Sequence, residues 1–184
     1  MLFDGQRALF IGGGSYRHGC FTNGDYAGSV SDHQAIARLI PVIVAQPRET
    51  VGEEVFRELV ICQGYDNCRQ DADPVQRLGD ALLAQQGRSL RSRERVLEWL
   101  AVFYARVLAD PAAAITILQD LVAARPRDGA LKTRLAEAFD SAGQHAQAVQ
   151  LAREVRATLP FNSVFMHRAL RSRLARLLTS QHDH

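Results

Sequence analysis

Three stretches of this chain repeat one frame, and that repetition limits the folds open to it. Ala35-Ile36, Ala114-Ile115 and Ala148-Val149 each pair an alanine with a β-branched residue. Twelve residues after each alanine stands a proline: Pro47, Pro126 and Pro160. Leu39, Leu118 and Ala152 come four after the alanine, and Val42, Leu121 and Val155 come seven after. Offsets of four and seven return to the same side of a helix, so each stretch predicts a helix with one apolar stripe. The proline closes it, because the residue before a proline is turned away from helical backbone. Pro126 and Pro160 lie 34 residues apart, a spacing that accommodates one helix–turn–helix unit.

The rest of the chain from residue 31 reads as helix too. Expected helices cover 32–46, 51–63, 74–86, 93–109, 111–124, 128–142, 144–158 and 162–180. Ser31, Thr50, Asp73, Ser92 and Asp110 are read as N-caps, since a short oxygen-bearing side chain can accept from an unpaired first-turn N–H. Glu53 takes the capping-box position after Thr50. Gly64 and Gly87 are read as helix stops. Pro41 is expected to kink or break the first helix, and Val42-Ile43-Val44 could otherwise pass for a strand. In 93–109, Trp99 and Phe103 lie off the stripe of Val96, Leu97, Leu100, Tyr104 and Val107, which predicts a helix sandwiched between neighbours.

Over 129–162 the chain resembles the tetratricopeptide (TPR) repeat superfamily. Leu135, Ala136 and Phe139 match the first-helix positions, Gly143 the turn glycine, and Ala148 and Pro160 the second-helix alanine and closing proline. Lys132 stands where an aromatic is usual, Ala152 where a large residue is usual, and Val155 where a small one is usual. Over 95–128 the second helix fits through Ala114, Leu118, Leu121 and Pro126. The first helix there departs, with Trp99 one position out of frame and Asp110-Pro111 in place of the turn glycine. Residues 163–180 look like the solvating cap helix that closes such arrays. The resemblance implies an all-α fold, a right-handed superhelical stack of antiparallel helix pairs, over 31–184 and clearest over 95–184. The alternative is a generic helical bundle.

Residues 1–30 differ. Seven of the 13 glycines lie there, with Phe3, Phe10, Tyr16, Phe21 and Tyr26, so an irregular arm is expected with a short strand near Ala8–Ile11. Gly12-Gly13-Gly14 lacks the spaced glycines, the helix and the acid of a dinucleotide turn, and reads as a connector. Ala8–Ile11 is too short for a secretory signal, so a cytoplasmic location is the default expectation, with a periplasmic part of a larger envelope protein as alternative. No apolar run approaches the roughly 18 residues of a membrane span. Cys62 and Cys68 bracket a turn-like segment that could close as a disulfide loop, against two unlinked thiols. The six histidines are scattered without metal-ligand spacing, so neither a metal nor another cofactor is expected.

Composition excludes little else. Net charge is +2, too balanced to point by itself to nucleic acid or an acidic membrane surface. Arginine outnumbers lysine 21 to one, a bias that fits a GC-rich bacterial genome. Nothing supplies a nucleophile with its base, so the expectation is a non-enzymatic scaffold or adaptor that binds a peptide or protein. In TPR proteins the first helix of each pair lines a groove. That implies groove positions at Thr133, Arg134, Glu137 and Asp140, with Phe103 and Arg106 in the weaker repeat and Arg168 and Arg171 in and around the cap helix. Two other readings stand beside it. One is a soluble accessory domain of a larger bacterial envelope assembly or enzyme. The other is an anion- or RNA-binding domain using the Arg-rich last helix, which few interleaved aromatics support. The aromatics of the arm would seal the open end of the array or pair two copies.

Overall fold

The computed structural model describes residues 2–3, 8–9, 33–46, 48–63, 72–158, 172–173, 175–177 and 179. The chain divides into two compact units, residues 1–108 and 109–184. Among the described residues the regular elements are helices, apart from one short strand pairing. In it β1 (Leu2–Phe3) and β2 (Ala8–Leu9) run antiparallel, with Leu2 opposite Leu9 and Phe3 opposite Ala8.

The first unit holds α1 (His33–Val44), α2 (Glu49–Gln63), α3 (Ala72–Ala84) and α4 (Leu90–Arg106). Hydrogen bonds fix their directions. Just past the end of α3, Gln85 Nε2 donates to the carbonyl of Val44 at the end of α1, 3.0 Å away. At the other pair of termini, the N–H of Ser89 before α4 donates to Glu49 Oε1 at the start of α2, 2.6 Å away. Gln76, early in α3, donates to the Tyr104 hydroxyl late in α4 at 3.3 Å. Thus α1 runs parallel to α3 and α2 parallel to α4, while α3 and α4 are antiparallel. Since α1 packs on α3 and α2 on α4, two helical hairpins stack like upon like.

Their core follows the apolar stripes. Leu39 and Ile43 of α1, Phe56, Leu59 and Val60 of α2, Val75, Leu78 and Leu82 of α3, and Val96, Leu100 and Phe103 of α4 are buried. Each such side chain gains about 1.5–3 kcal/mol from leaving water. Gly79 matters here through what it lacks: a Cβ on it would stand 2.8 Å from Phe56 Cζ and 3.3 Å from Leu100 Cδ1. The bare backbone of α3 is the notch that receives the Phe56 ring.

The second unit holds α5 (Pro111–Ala124), α6 (Gly129–Ser141) and α7 (His145–Thr158). Asp110 caps α5 by accepting from the Ala113 N–H at 3.0 Å, with Pro111 supplying the first helical residue. Asp128 caps α6 by accepting from the N–H groups of Ala130 and Leu131. At the end of α6, Gly143 adopts φ +75°. That left-handed residue lets the Gln144 N–H reach the Phe139 carbonyl at 2.8 Å and its own N–H reach Asp140, a Schellman stop. The chain then reverses into α7, and Lys132 Nζ lies 3.9 Å from Glu154 Oε2, as antiparallel neighbours require. Ala136, Ala148, Ala152 and Val155 are buried at the seam, and Leu177 of the C-terminal segment packs with Ala136, Ala152 and Val155.

Several expectations are corrected. The helix at 33–44 continues through Pro41 instead of ending there, so Val42-Ile43-Val44 is helical. Thr50 does not cap α2, which begins at Glu49. Asp73 lies in the first turn of α3 rather than before it, and α3 ends at Ala84 ahead of the Gly87 turn. Ser92 is not the cap of α4: Ser89 is, accepting from the Ser92 N–H, and Ser92 lies buried in the first turn. Each shift is two or three residues; at Ser92 it turns a supposed cap into a buried side chain, while Thr50 and Asp73 stay exposed in the first turns of their helices. Ser31, Gly64, Cys68, Pro160 and most of the expected last helix lie outside the described residues.

Candidate functional site

In α6 most of the circumference is covered. Leu131, Thr133, Leu135, Ala136, Ala138 and Phe139 are buried. Besides Lys132, which is turned toward Glu154 of α7, what remains outward is chiefly a stripe of Ala130, Arg134, Glu137 and Ser141, spaced four, three and four apart. Of the expected groove positions here, Arg134 and Glu137 stand on this stripe, both half-buried. Asp140 sits at its edge and holds His145 Nδ1 at 2.7 Å across the α6–α7 turn. Arg173 of the C-terminal segment places Nε 3.5 Å from Glu137 Oε1. The segment that buries Leu177 therefore also reaches the polar stripe.

Two expected groove residues do not line a surface. Thr133 is fully buried; its hydroxyl donates to the Gly129 carbonyl at 2.7 Å, which lets a polar side chain sit in the core. Phe103 is fully buried in the first unit, with its ring edge-on to Tyr104 at 6.2 Å. It stands seven residues after Val96 and three after Leu100, so it shares their buried side of α4 rather than lying off it. Arg106, at the last turn of α4, is exposed. Arg168, Arg171 and the Cys62–Cys68 pairing lie outside the described residues.

The first unit holds a polar cluster that sequence reasoning missed. Glu53 of α2, Arg88 before α4 and Ser92 of α4 are all buried. Ser92 Oγ donates to Glu53 Oε1, and Arg88 Nη1 donates to Ser92 Oγ while standing 3.8 Å from the same carboxylate oxygen. Arg88 Nη2 donates to Gln85 Oε1 at 2.7 Å, and Gln85 continues to the Val44 carbonyl. On the rim, the half-exposed Arg95 reaches Glu53 Oε2 at 3.3 Å. Arg88 Nε alone in this group is buried without a hydrogen-bond partner. The site lies where the N-termini of α2 and α4 meet the C-termini of α1 and α3. Helix dipoles there favour a carboxylate on the one side and a guanidinium on the other. Beside it, the Ser89 hydroxyl and then the Ser89 backbone N–H hold the exposed Glu49 carboxyl below the usual glutamate range, with a smaller pull from Arg88.

A signal for this cluster was present. Glu53 shares the spacing of Phe56 and Val60, and Ser92 that of Val96, Leu100 and Phe103. A charged and a hydroxyl residue each stood on the inward stripe of a helix, but at a helix start both were read as caps.

Among the described residues, no group of three or more His, Cys, Asp or Glu side chains is placed to hold a metal ion. None of the described helices is long and apolar enough to cross a membrane. No protein-family model, no curated protein and no solved structure matches the chain.

Proposed function

We propose that the chain is a TPR-like helical-repeat scaffold that binds a peptide or partner protein along the outward stripe of α6. The observation that carries this reading is the α6–α7 hairpin. The positions that the resemblance makes packing positions, Leu135, Ala136, Phe139 and Ala148, are buried, and the turn glycine Gly143 ends α6 in a left-handed stop. The like-on-like stacking of α1 on α3 and α2 on α4 supports the same reading, because stacked hairpins are the unit of a helical repeat. The stripe carries charge of both signs, Arg134 and the Arg173-paired Glu137, which a partner's own charges would have to match.

The test is affinity capture from the source organism with wild type, Arg134→Glu, and Arg153→Glu on the exposed side of α7. A partner bound by wild type and by Arg153→Glu, but weakened roughly tenfold or more by Arg134→Glu, supports the α6 stripe. Equal capture by all three folded proteins removes the stripe as the site.

A further inference from the structure

The Glu53–Ser92–Arg88 cluster raises a question of packing that the apolar core leaves open. α4 packs on α2, and the buried apolar residues of the two helices include Val96, Leu100 and Phe103 on α4 and Phe56, Leu59 and Val60 on α2. Along α4 these apolar residues recur every three or four positions. A slip of α4 by one turn, about 5.4 Å, would put Leu100 where Val96 stands and still set apolar on apolar. Hydrophobic burial is non-directional and discriminates weakly between such registers.

The polar residues discriminate strongly. In the observed register, Ser92 Oγ stands between Arg88 and the Glu53 carboxylate and hydrogen-bonds to both. Slipped by a turn, Glu53 would keep its burial and lose Ser92, and Arg88 would lose its hold on the α2 side. A buried charge stripped of its partner is far costlier than the intact pair is favourable. The observed register is itself imperfectly satisfied, since Arg88 Nε has no partner, which is not how a cluster gains the most stability. We infer that Glu53, Ser92 and Arg88 form a register lock, which selects one packing of α4 on α2 by penalising the slipped ones while adding little net stability. The lock extends to α1 through Gln85 and the Val44 carbonyl, so it aligns both hairpins of the first unit at one end.

The test separates stability from register. In the full chain with Cys20, Cys62 and Cys68 replaced by serine, spin labels are attached at Thr50→Cys on α2 and Arg93→Cys on α4, both at exposed positions. This parent is expected to give one narrow inter-label distance. Glu53→Met alone strands the Arg88 charge and lowers the thermal midpoint by roughly 10 °C. The apolar triple variant Glu53→Met/Arg88→Met/Ser92→Ala recovers the parent's midpoint or exceeds it, yet shows a second distance displaced by roughly 5 Å. Glu53→Gln, which keeps an acceptor for Ser92, retains the single distance. A triple variant with one distance at the parent's value overturns the proposal. So does a triple variant that fails to fold or melts well below the parent, because the cluster would then be a net source of stability. An unchanged midpoint in Glu53→Met, or a second distance already in Glu53→Gln, overturns it as well.

Discussion

The two units bury their helices in different ways. In α1–α4 the core is bulky and notched: Phe56 and Phe103 are fully buried, and Gly79 gives up its side chain so that the Phe56 ring can reach the α3 backbone. That unit also buries a carboxylate, a guanidinium and a hydroxyl. In α5–α7 the seam is built from small residues, with Ala114, Ala136, Ala148 and Ala152 all fully buried. The polar group buried there, Thr133, is satisfied within its own helix. Alanine lets helix backbones approach over a whole face and tolerates little added volume. A ring in a glycine notch concentrates the fit at one point. An alanine seam is also the kind of surface that stacks repeat after repeat, whereas a ring, its notch and an ion pair fit one neighbour only.

The largest expected effect tests the notched core. Phe56→Ala removes a fully buried ring and leaves the space beside Gly79 empty, at a cost of about 3–5 kcal/mol. Hydrogen exchange read helix by helix should show protection falling chiefly in α2, α3 and α4. An equal fall in α6 and α7 would mean that the two cores do not respond as separate structures, and the contrast would fail. Next in size is the converse change in the alanine seam. Ala148→Leu forces extra methylenes into a face with no exposed margin and should cost about 1–3 kcal/mol, read from the denaturation midpoint. A neutral Ala148→Leu would show slack in the seam and remove the argument for close backbone approach.

The same contrast explains what the sequence disclosed. The repeated Ala and Pro frame made α5 and α7 legible, because at Ala114, Leu118, Leu121, Ala148, Ala152 and Val155 spacing and burial agree. The cap Asp110 and the turn glycine Gly143 were also readable, since a capping oxygen or a left-handed glycine acts on backbone within a few residues, whereas Asp128, expected as the first residue of its helix, is its cap. The first unit was harder. Ser92 and Glu53 have the residue types and positions of caps, and only packing between α2 and α4, helices almost 40 residues apart in sequence, turns them inward. Thr133 failed as a groove residue for a related reason: a threonine that bonds its own helix is free to be buried, and no spacing rule reports which carbonyl its hydroxyl will choose. Arg134 and Glu137 lie half-buried on the side of α6 away from Leu135 and Ala136, as their offsets from those two residues imply.

The smallest expected effect sharpens the contrast at its edge, where Glu49 reaches from α2 to the Ser89 cap of α4. Its carboxyl accepts from the Ser89 hydroxyl and N–H, both at 2.6 Å, and these bonds hold its pKa below the ordinary value of 4.5. The folded state therefore binds a proton at Glu49 less readily than the unfolded chain does. Its contribution to stability is complete above the unfolded value and is lost as pH falls through the lowered folded one. Glu49→Gln keeps an acceptor but carries no charge to titrate. Wild type should be more stable than Glu49→Gln at pH 6–7, and the gap should close as urea midpoints are followed down through the usual glutamate range. The hydrogen bonds to Ser89 lie at the exposed edge of the helix pair, so the gap should be modest and should shrink in high salt. A gap that instead widens on acidification would mean that Glu49 is not the group tying the start of α2 to the cap of α4. The stacking of those two helices would then rest on the buried Glu53 cluster and the apolar core alone.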